Sequence, residues 1–246
     1  MRIDVLTLFP QMFDGFMGSS IVRRAIERCL VDIRLHNIRD YAHDKHHTVD
    51  DYPYGGGAGM VLKPEPIFEA VEAIKMEAGL ACVPVVLLSP QGRLFTQEIA
   101  RQLASYESMI LICGRYEGVD ERVAEHLATD EISIGDYLLS GGEVAAMVVL
   151  DSVVRLLPGV LGSEASLSED SHTEGLLEYP QYTRPAVYRG WTIPSVLLSG
   201  DHGAVARWRR QQRLVRTAKR RPDLFSKITL SDEDKKLLDE VFQTGS

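Results

Sequence analysis

The 246-residue chain has little cysteine. Its three cysteines, Cys29, Cys82 and Cys113, lie far apart, and their spacing fits neither a zinc site nor a disulfide framework. Such sparse cysteine usage is typical of proteins that work in a reducing cytosol. The sequence therefore predicts a cytoplasmic location.

Long apolar runs are also missing. No uninterrupted apolar stretch is long enough to cross a bilayer, so no membrane protein is expected. The N-terminal MRIDVLTLFP carries Asp4 inside its apolar run, which predicts a strand rather than a signal peptide. The composition, 45% hydrophobic and 25% charged, is that of a soluble globular protein.

Two common nucleotide-binding motifs are absent. The sequence contains no G-x-x-x-x-G-K-[ST] P-loop. Gly57-Ala58-Gly59 begins like the dinucleotide fingerprint G-x-G-x-x-G, but Leu62 occupies the third glycine position and a polar loop, not a strand, precedes the segment. Any nucleotide-like ligand must therefore be held by another backbone arrangement.

Strand-like and helix-like segments alternate from the N-terminus to residue 160. The predicted strands are 3–9, 31–38, 83–88, 109–113 and 131–134, and the predicted helices are 20–30, 64–78, 96–106, 119–127 and 143–157. Residues 39–59 are predicted to form a long polar loop. This alternation predicts an α/β domain with a parallel sheet.

The composition changes after Pro158-Gly159. Residues 163–178 contain five acidic residues and no Lys or Arg, which predicts a flexible linker or a loop that orders on binding. Beyond Pro194 the pattern becomes helical and basic, until Pro222 ends or kinks the helix. We predict an α/β domain over 1–160, a linker over 161–180 and a small helical domain over 181–246.

The net charge of −8 conceals one basic segment. Residues 184–227 hold 11 Lys/Arg against 2 Asp/Glu, whereas the rest of the chain holds 16 Lys/Arg against 33 Asp/Glu. A localised basic surface on an acidic protein predicts contact with a polyanion. The cations predicted to face phosphate groups are Arg207, Arg209, Arg210, Arg213, Arg216, Lys219, Arg220 and Arg221.

Two further residues of this region carry structural predictions. Trp208 either stacks on a base or anchors its helix in a core, and its apolar neighbours Val205 and Leu214 favour the core. Ser231 stands three residues before Asp234, which approximates the capping signal of a final helix over 230–242.

Three glycine-bearing loops follow three predicted buried strands, over 89–93, 114–118 and 135–142. Each leaves the carboxyl end of its strand, and open parallel sheets bind ligands at that edge. We therefore expect the loops to meet and to share one ligand pocket. The alternative is that the glycines serve turn geometry alone.

The loop from His43 to Asp51 is dense in titratable groups, with three histidines and three aspartates. Such side chains are suited to a metal site. No HExxH or comparable spacing supports one, so we do not predict protein ligands for a metal here.

Seven motifs carry a resemblance to a known family: PYGGGAGM, LLSPQGR, ICGRYEGVDER, SIGDYLLSGGE, RLLPGVLG, EYPQYTRP and RWRRQQ. In this order they resemble the bacterial tRNA (guanine-N1)-methyltransferases, which belong to the knotted SPOUT superfamily of S-adenosylmethionine-dependent RNA methyltransferases. The resemblance covers nearly the whole chain. It implies an α/β fold whose parallel sheet has a C-terminal trefoil knot, followed by a small α-helical domain that binds tRNA. Pattern reasoning alone predicts no knot, because knots are rare.

The resemblance also implies a cofactor, S-adenosyl-L-methionine, held in the knot against the three loops. It implies a homodimer with the active site at the subunit interface. By motif match the cofactor-binding residues are Leu88, Ser89, Pro90, Gly114, Tyr116, Glu117, Ile134, Gly135, Asp136, Tyr137, Leu138, Leu139, Gly141 and Gly142.

The implied reaction methylates N1 of the guanine on the 3′ side of the anticodon, tRNA position 37. That nitrogen carries a proton, so a general base must remove it. The matching base is Asp170. A solvated aspartate has a pKa of about 3.9, and burial of the carboxyl group on guanine docking would raise that pKa. The matching cation near the guanine O6 is Arg155. On chemistry alone Glu169 is an equal base candidate, and Asp151 with Arg155 has the spacing of a simple helical ion pair.

For the RNA, the resemblance implies contacts from the polar loop and the basic helix. The loop residues are Lys45, His46, Thr48, Val49, Asp50 and Asp51, and the helix residues are Arg209, Arg210, Arg213 and Arg216. Mg²⁺ is associated with activity in the family, without protein ligands that this sequence names.

Two other functions compete with this one. A knotted ribose 2′-hydroxyl methyltransferase would share fold and cofactor, but the acidic linker with Asp170 and the EYPQYTRP string argue against it. An RNA-binding module without catalysis would not need the glycine loops together with Arg155 and Asp170.

Overall fold

The computed structural model describes residues 1–79, 83–161, 171–172 and 174–244. The chain divides into two compact units, Met1–Gly162 (unit 1) and Ser163–Ser246 (unit 2).

Unit 1 is built on a parallel sheet. Its strands are β1 (Arg2–Thr7), β2 (Asp32–Asn37), β5 (Val85–Leu94), β6 (Ser108–Cys113) and β7 (Asp130–Ser133), while β3 (Asp50–Asp51) and β4 (Val61–Leu62) form a small antiparallel pair. The five-stranded sheet has the order β2-β1-β6-β5-β7, and its neighbouring strands are parallel. The predicted α/β class with a parallel sheet is confirmed.

The helices of unit 1 follow the predicted alternation. They are α1 (Asp14–Met17), α2 (Ser20–Glu27), α3 (Pro64–Ala78), α4 (Gln97–Ala104), α5 (Glu121–His126) and α6 (Glu143–Val154). Helix α3 has Pro64 in its first turn, where the missing N–H costs nothing, and it ends at Gly79 in the left-handed conformation. Sequence signals at both ends therefore explain why its predicted bounds are correct.

Helices cover both faces of the sheet. Val86 and Leu88 of β5 pack in a cluster with residues of α2, α4 and α6. The alternate residues Val85 and Leu87 pack on the other face with residues of α3 and α5. Because strand side chains alternate between faces, a strand covered on both sides becomes a continuous apolar run.

The structure corrects the predicted loop over 89–93, which lies inside β5. Leu88 and Arg93 both pair with Ile132 of β7. The register therefore shifts between these two pairings, and residues 89–92 pass close to the backbone of β7, a path that no local pattern reveals.

Gly92 lets residues 89–92 pass this close to the backbone of β7. A Cβ on Gly92 would overlap the backbone of Glu131 and Ile132. Arg93 then fixes the end of this segment to β7, because its Nε and Nη2 donate to the Asp130 carboxylate at 2.9 and 2.6 Å.

The predicted polar loop over 39–59 is also corrected. It begins inside a 3₁₀ turn, Ile38–Tyr41, and contains strand β3. Asp44 organises the part between them, since its carboxylate accepts the backbone N–H groups of His46 and Thr48 at 2.9 and 2.7 Å. These hydrogen bonds lower the pKa of Asp44 below its ordinary value.

Unit 2 contains a short hairpin and helices. Its elements are β8 (Val187–Tyr188), β9 (Trp191–Thr192), a 3₁₀ turn (Ser195–Leu198), α7 (His202–Arg220), α8 (Pro222–Phe225) and α9 (Asp232–Thr244). Leu176, Leu214, Leu237 and Leu238 form its buried cluster. Leu176 belongs to the segment predicted as linker, and it is fully buried.

Local predictions for unit 2 have mixed outcomes. Helix α7 ends before Pro222, as predicted. The Ser231 hydroxyl accepts the Asp234 N–H at 3.1 Å and the Asp234 carboxylate accepts the Ser231 N–H at 3.2 Å, which confirms the cap. Trp208 is half-buried beside Tyr182, with ring centroids 6.5 Å apart. Its core role, which the sequence favours over stacking on a base, stays a prediction.

Candidate functional site

A cavity of about 370 Å³ opens beside residues 87–91 of β5 and the segments that follow β6 and β7. Every residue predicted to bind the cofactor lines it except Asp136, which is exposed and is not among the described lining residues. The expected meeting of the three glycine-bearing segments is therefore confirmed. The volume lies within the range of about 300–1,000 Å³ that is usual for small-molecule sites.

The second and third segments touch through their backbones. Gly142 donates its N–H to the Gly114 carbonyl at 2.8 Å. A Cβ on Gly142 would stand 2.8 Å from Cys113 Cα, closer than real side chains come. Only glycine permits this approach, so the shape of the cavity floor depends on the backbone itself.

A buried network, which we call the Glu143 network, joins three elements beneath the cavity. Glu143 is fully buried at the start of α6. Its carboxylate accepts hydrogen bonds from the Thr7 hydroxyl at 2.8 Å and from Arg115 Nε at 2.9 Å. Arg115 Nη1 also donates to the Ser140 carbonyl at 3.1 Å, and the guanidinium lies 4.5 Å from the Phe9 ring centroid.

Sequence reasoning missed the Glu143 network. Thr7 and Glu143 are 136 positions apart, so no local spacing joins them. The one available signal was an acidic residue at the start of an otherwise apolar helix, where a carboxylate is favoured by the helix dipole. The network fixes both the Arg115 segment and the Ser140 segment, and thereby two walls of the cavity.

Cys113, at the end of β6, offers no nucleophile. Burial raises the pKa of its thiol well above the ordinary value, and the carboxylate of Glu143 adds to the rise. The thiol therefore stays protonated at neutral pH, and the reactive form of cysteine is the thiolate.

The glycine-rich segment PYGGGAGM lies beside the second wall of the cavity. Glu117 donates its N–H to the Met60 carbonyl at 3.0 Å, and Leu62 donates to the Gly118 carbonyl at 3.0 Å. A Cβ on Gly59 would overlap the Glu117 side chain. Tertiary contact, rather than a local nucleotide-binding motif, explains the glycine at position 59.

Only one of the two predicted catalytic residues, Arg155, lies in the described part of the chain. Arg155 directly follows Val154, the last residue of α6, and is half-buried. Asp170 and the alternative Glu169 lie outside the described residues.

The polar loop exposes part of its predicted RNA-binding set. Lys45 and His46 are exposed, and Asp50 pairs with Leu62 in the β3–β4 ladder. Within the described part of the chain, no group of three or more His, Cys, Asp or Glu side chains is arranged to hold a metal ion.

The predicted phosphate-binding arginines of α7 have partners inside unit 2. Arg210 donates from Nε and Nη2 to the Asp234 carboxylate at 2.8 and 2.9 Å, and from Nη1 to Glu174 at 3.1 Å. Arg213 is buried and donates to Glu174 at 3.3 Å. The Arg210 guanidinium lowers the pKa of Asp234 to about 2.

The other two arginines are similarly engaged. Arg216 Nη1 donates to the Glu178 carbonyl at 3.4 Å, and the Arg209 guanidinium lies 4.7 Å from the Tyr179 ring centroid. Lys219 and Arg220, at the end of the helix, are exposed.

Comparison with known proteins gives consistent matches. Residues 1–227 match the family model described as tRNA (Guanine-1)-methyltransferase TrmD. A protein of Dehalococcoides mccartyi named tRNA (guanine-N(1)-)-methyltransferase is 64% identical over 241 residues, which cover 98% of this chain and 97% of that protein. Proteins of the same name from Geobacillus kaustophilus and Brevibacillus brevis are 59% and 58% identical over 240 and 243 residues, covering 98% and 99% of each chain. Across the residues that the structure describes, no helix is long and apolar enough to span a membrane.

Proposed function

The chain belongs to the tRNA (guanine-1)-methyltransferase family and is a tRNA methyltransferase, and we propose that it transfers the methyl group of S-adenosyl-L-methionine to N1 of guanine 37, on the 3′ side of the anticodon. The cavity beside β5 and the segments that follow β6 and β7 is the observation that carries the proposal, because the residues matched to the cofactor motifs meet there.

The cavity suits this cofactor. Apolar side chains such as Leu88 and Ile134 line one part, and the backbones of Gly141 and Gly142 leave room for close approach. S-adenosyl-L-methionine, when bound, supplies an electrophilic methyl group. The chain itself holds and orients it, and the Glu143 network keeps two cavity walls in place.

Asp170 is the proposed general base. It takes the proton from guanine N1, which is a poor nucleophile while protonated. Arg155 is proposed to stabilise the negative charge that deprotonation leaves near O6. Its position directly after α6, the helix that follows the third cavity segment, supports this role.

We also propose the trefoil knot and the homodimer. The close passage of residues 89–92 against the backbone of β7 supports a knotted path. The exposed apolar side chains Val144 and Val148 of α6, 45% and 40% accessible, support a subunit interface there, because patches of this kind mark interaction sites. The active site would then lie at that interface, and the work of the enzyme on tRNA fits the cytoplasm.

The tRNA is proposed to contact the polar loop through Lys45, His46 and Asp50 and to contact the basic helix. The arginines of α7 are already paired within unit 2, so phosphate groups would exchange with carboxylates there. Lys219 and Arg220 are exposed, so phosphate groups would reach them without displacing the carboxylate that pairs with Arg210.

A methylation assay tests the proposal. Purified protein is given labelled S-adenosyl-L-methionine and one of two tRNAs that differ only in G or A at position 37, and the nucleosides are then analysed. We expect N1-methylguanosine from the first tRNA and no product from the second. Methylation of both, or of a ribose, would reject the proposal.

A further inference from the structure

The hairpin β8–β9 presents two aromatic rings to solvent. Tyr188 and Trp191 are directly paired across the antiparallel ladder, so their side chains stand on the same face. Their ring centroids are 6.3 Å apart, and they are 55% and 70% accessible. An indole this exposed on so small a hairpin contributes little to the folding of unit 2. Its exposure to solvent therefore needs another explanation.

The surroundings of these rings are cationic. The Arg189 guanidinium lies 5.3 Å from the Tyr188 ring centroid. Between Glu178 and Asp201 the sequence contains no acidic residue, although it contains Arg184 and Arg189. Aromatic rings with interspersed arginine and no carboxylate match the surfaces that bind single-stranded nucleic acid, where rings stack on bases and cations meet the backbone.

We propose that the Tyr188–Trp191 face stacks on unpaired bases of the RNA substrate. The inference rests on the proposed function, because N1 of guanine lies on its Watson–Crick edge and is blocked in a base pair. The target nucleotide must therefore be unpaired, and its neighbours in the loop are unpaired bases whose faces are open to stacking.

Charge favours RNA over a second copy of the chain as the occupant of this face. In a two-fold contact the same surface meets itself. Two hairpins face to face would bring Arg189 of each copy together, and the hairpin carries no carboxylate to neutralise them. A phosphate backbone supplies that neutralisation.

The two tryptophans of the chain, Trp191 and Trp208, give a direct readout. A Trp208→Phe variant leaves Trp191 as the sole tryptophan, and its emission is followed during titration with the substrate tRNA. We expect quenching with the same midpoint as binding measured by filter retention. A fully paired RNA duplex of equal length should quench less. The matched Trp191→Phe variant, which reports Trp208, should respond less to the tRNA.

Affinity supplies a second test in chains that keep Trp208. Trp191→Ala should weaken tRNA binding by about fivefold or more, because stacking is worth roughly 1–3 kcal/mol per base, whereas Trp191→Phe keeps an aromatic face and should lose less. Unchanged affinity of Trp191→Ala, or emission of Trp191 unaltered at saturating tRNA, would overturn the inference.

Three outcomes separate failure of the stacking surface from failure of the proposed function. If Trp191 emits at short wavelength in the free protein and shifts to longer wavelength on dilution, a second copy covers the face and the inference is wrong. If the unaltered protein neither binds nor methylates tRNA, the proposed function itself is wrong. Normal methylation with an unresponsive Trp191 rejects the stacking surface alone.

Discussion

The cavity of unit 1 and the basic helix of unit 2 are built by different means. The cavity depends on backbone contact, as at Gly142 against Cys113, where one added carbon has no room. Helix α7 depends on side-chain ion pairs, as at Arg210 with Asp234 and Glu174. The cavity is therefore determined by the shape of the backbone. The basic helix is determined by ion pairs, whose partners can be exchanged. Substitutions, pH and salt should affect the two differently.

The largest effect is expected at Asp170, in unit 2. Asp170→Asn should lower the methylation rate by about 100- to 10,000-fold, because general bases contribute in this range. Cofactor binding, measured by calorimetry, should persist, since the cavity lies in unit 1. The neighbouring Glu169→Gln is the matched control and should retain activity. Full activity of Asp170→Asn would remove it as the base.

Gly92→Ala should disrupt the cavity of unit 1. The new methyl group would overlap the backbone of β7 at Glu131, and overpacking of this kind costs about 1–3 kcal/mol. We expect a lower urea midpoint and loss of cofactor binding. Gly15→Ala is the control: it lies in α1, a Cβ there meets nothing within 4 Å, and alanine favours helix. Equal behaviour of both variants would contradict the backbone-contact account.

Acid should lower the stability of unit 2 through Asp234. Its pKa is about 2 in the folded protein, below the ordinary 3.8. A carboxyl group whose pKa is lower in the folded protein than in the unfolded chain stabilises the fold at pH values above the unfolded pKa. This contribution of about 2 kcal/mol is lost as the pH falls from about 4 towards 2. Both tryptophans lie in unit 2, so tryptophan fluorescence during urea unfolding measures it. In Asp234→Asn the contribution should be absent, and an acid dependence equal to that of the unaltered protein would contradict it.

The smallest effect is expected at the exposed end of α7. Lys219→Glu with Arg220→Glu should weaken tRNA binding and flatten its salt dependence by about one unit of log–log slope for each lost phosphate contact, while the urea midpoint stays unchanged. Reversal of Arg209 and Arg210 should weaken binding too, but it also removes the Arg210–Asp234 pair and should lower stability. If binding survives both double reversals, the helix presents only a solvated face.

Local and periodic features were predictable from the sequence. The ends of α3 are marked by Pro64 and Gly79, and the cap of α9 by Ser231 and Asp234. The meeting of the segments after β6 and β7 followed from one rule, that parallel strands share a carboxyl edge. The rule does not account for residues 89–93 in the same way, because they lie inside β5.

Features that join distant parts of the chain were not predictable. The register shift between Leu88 and Arg93 in their pairing with β7 is not encoded in the apolar run that ends at Leu88. The Thr7–Glu143 hydrogen bond spans most of unit 1. The basic pattern of α7 was visible, but its partner carboxylates Glu174 and Asp234 come from other segments.

A crystal structure of the protein grown with S-adenosyl-L-methionine tests the central claim most directly. The account predicts the cofactor in the cavity beside β5 and the segments that follow β6 and β7, against the backbone of Gly141 and Gly142 and beside Leu88. Cofactor ordered at another place, or an empty cavity under conditions where calorimetry shows saturation, would contradict it.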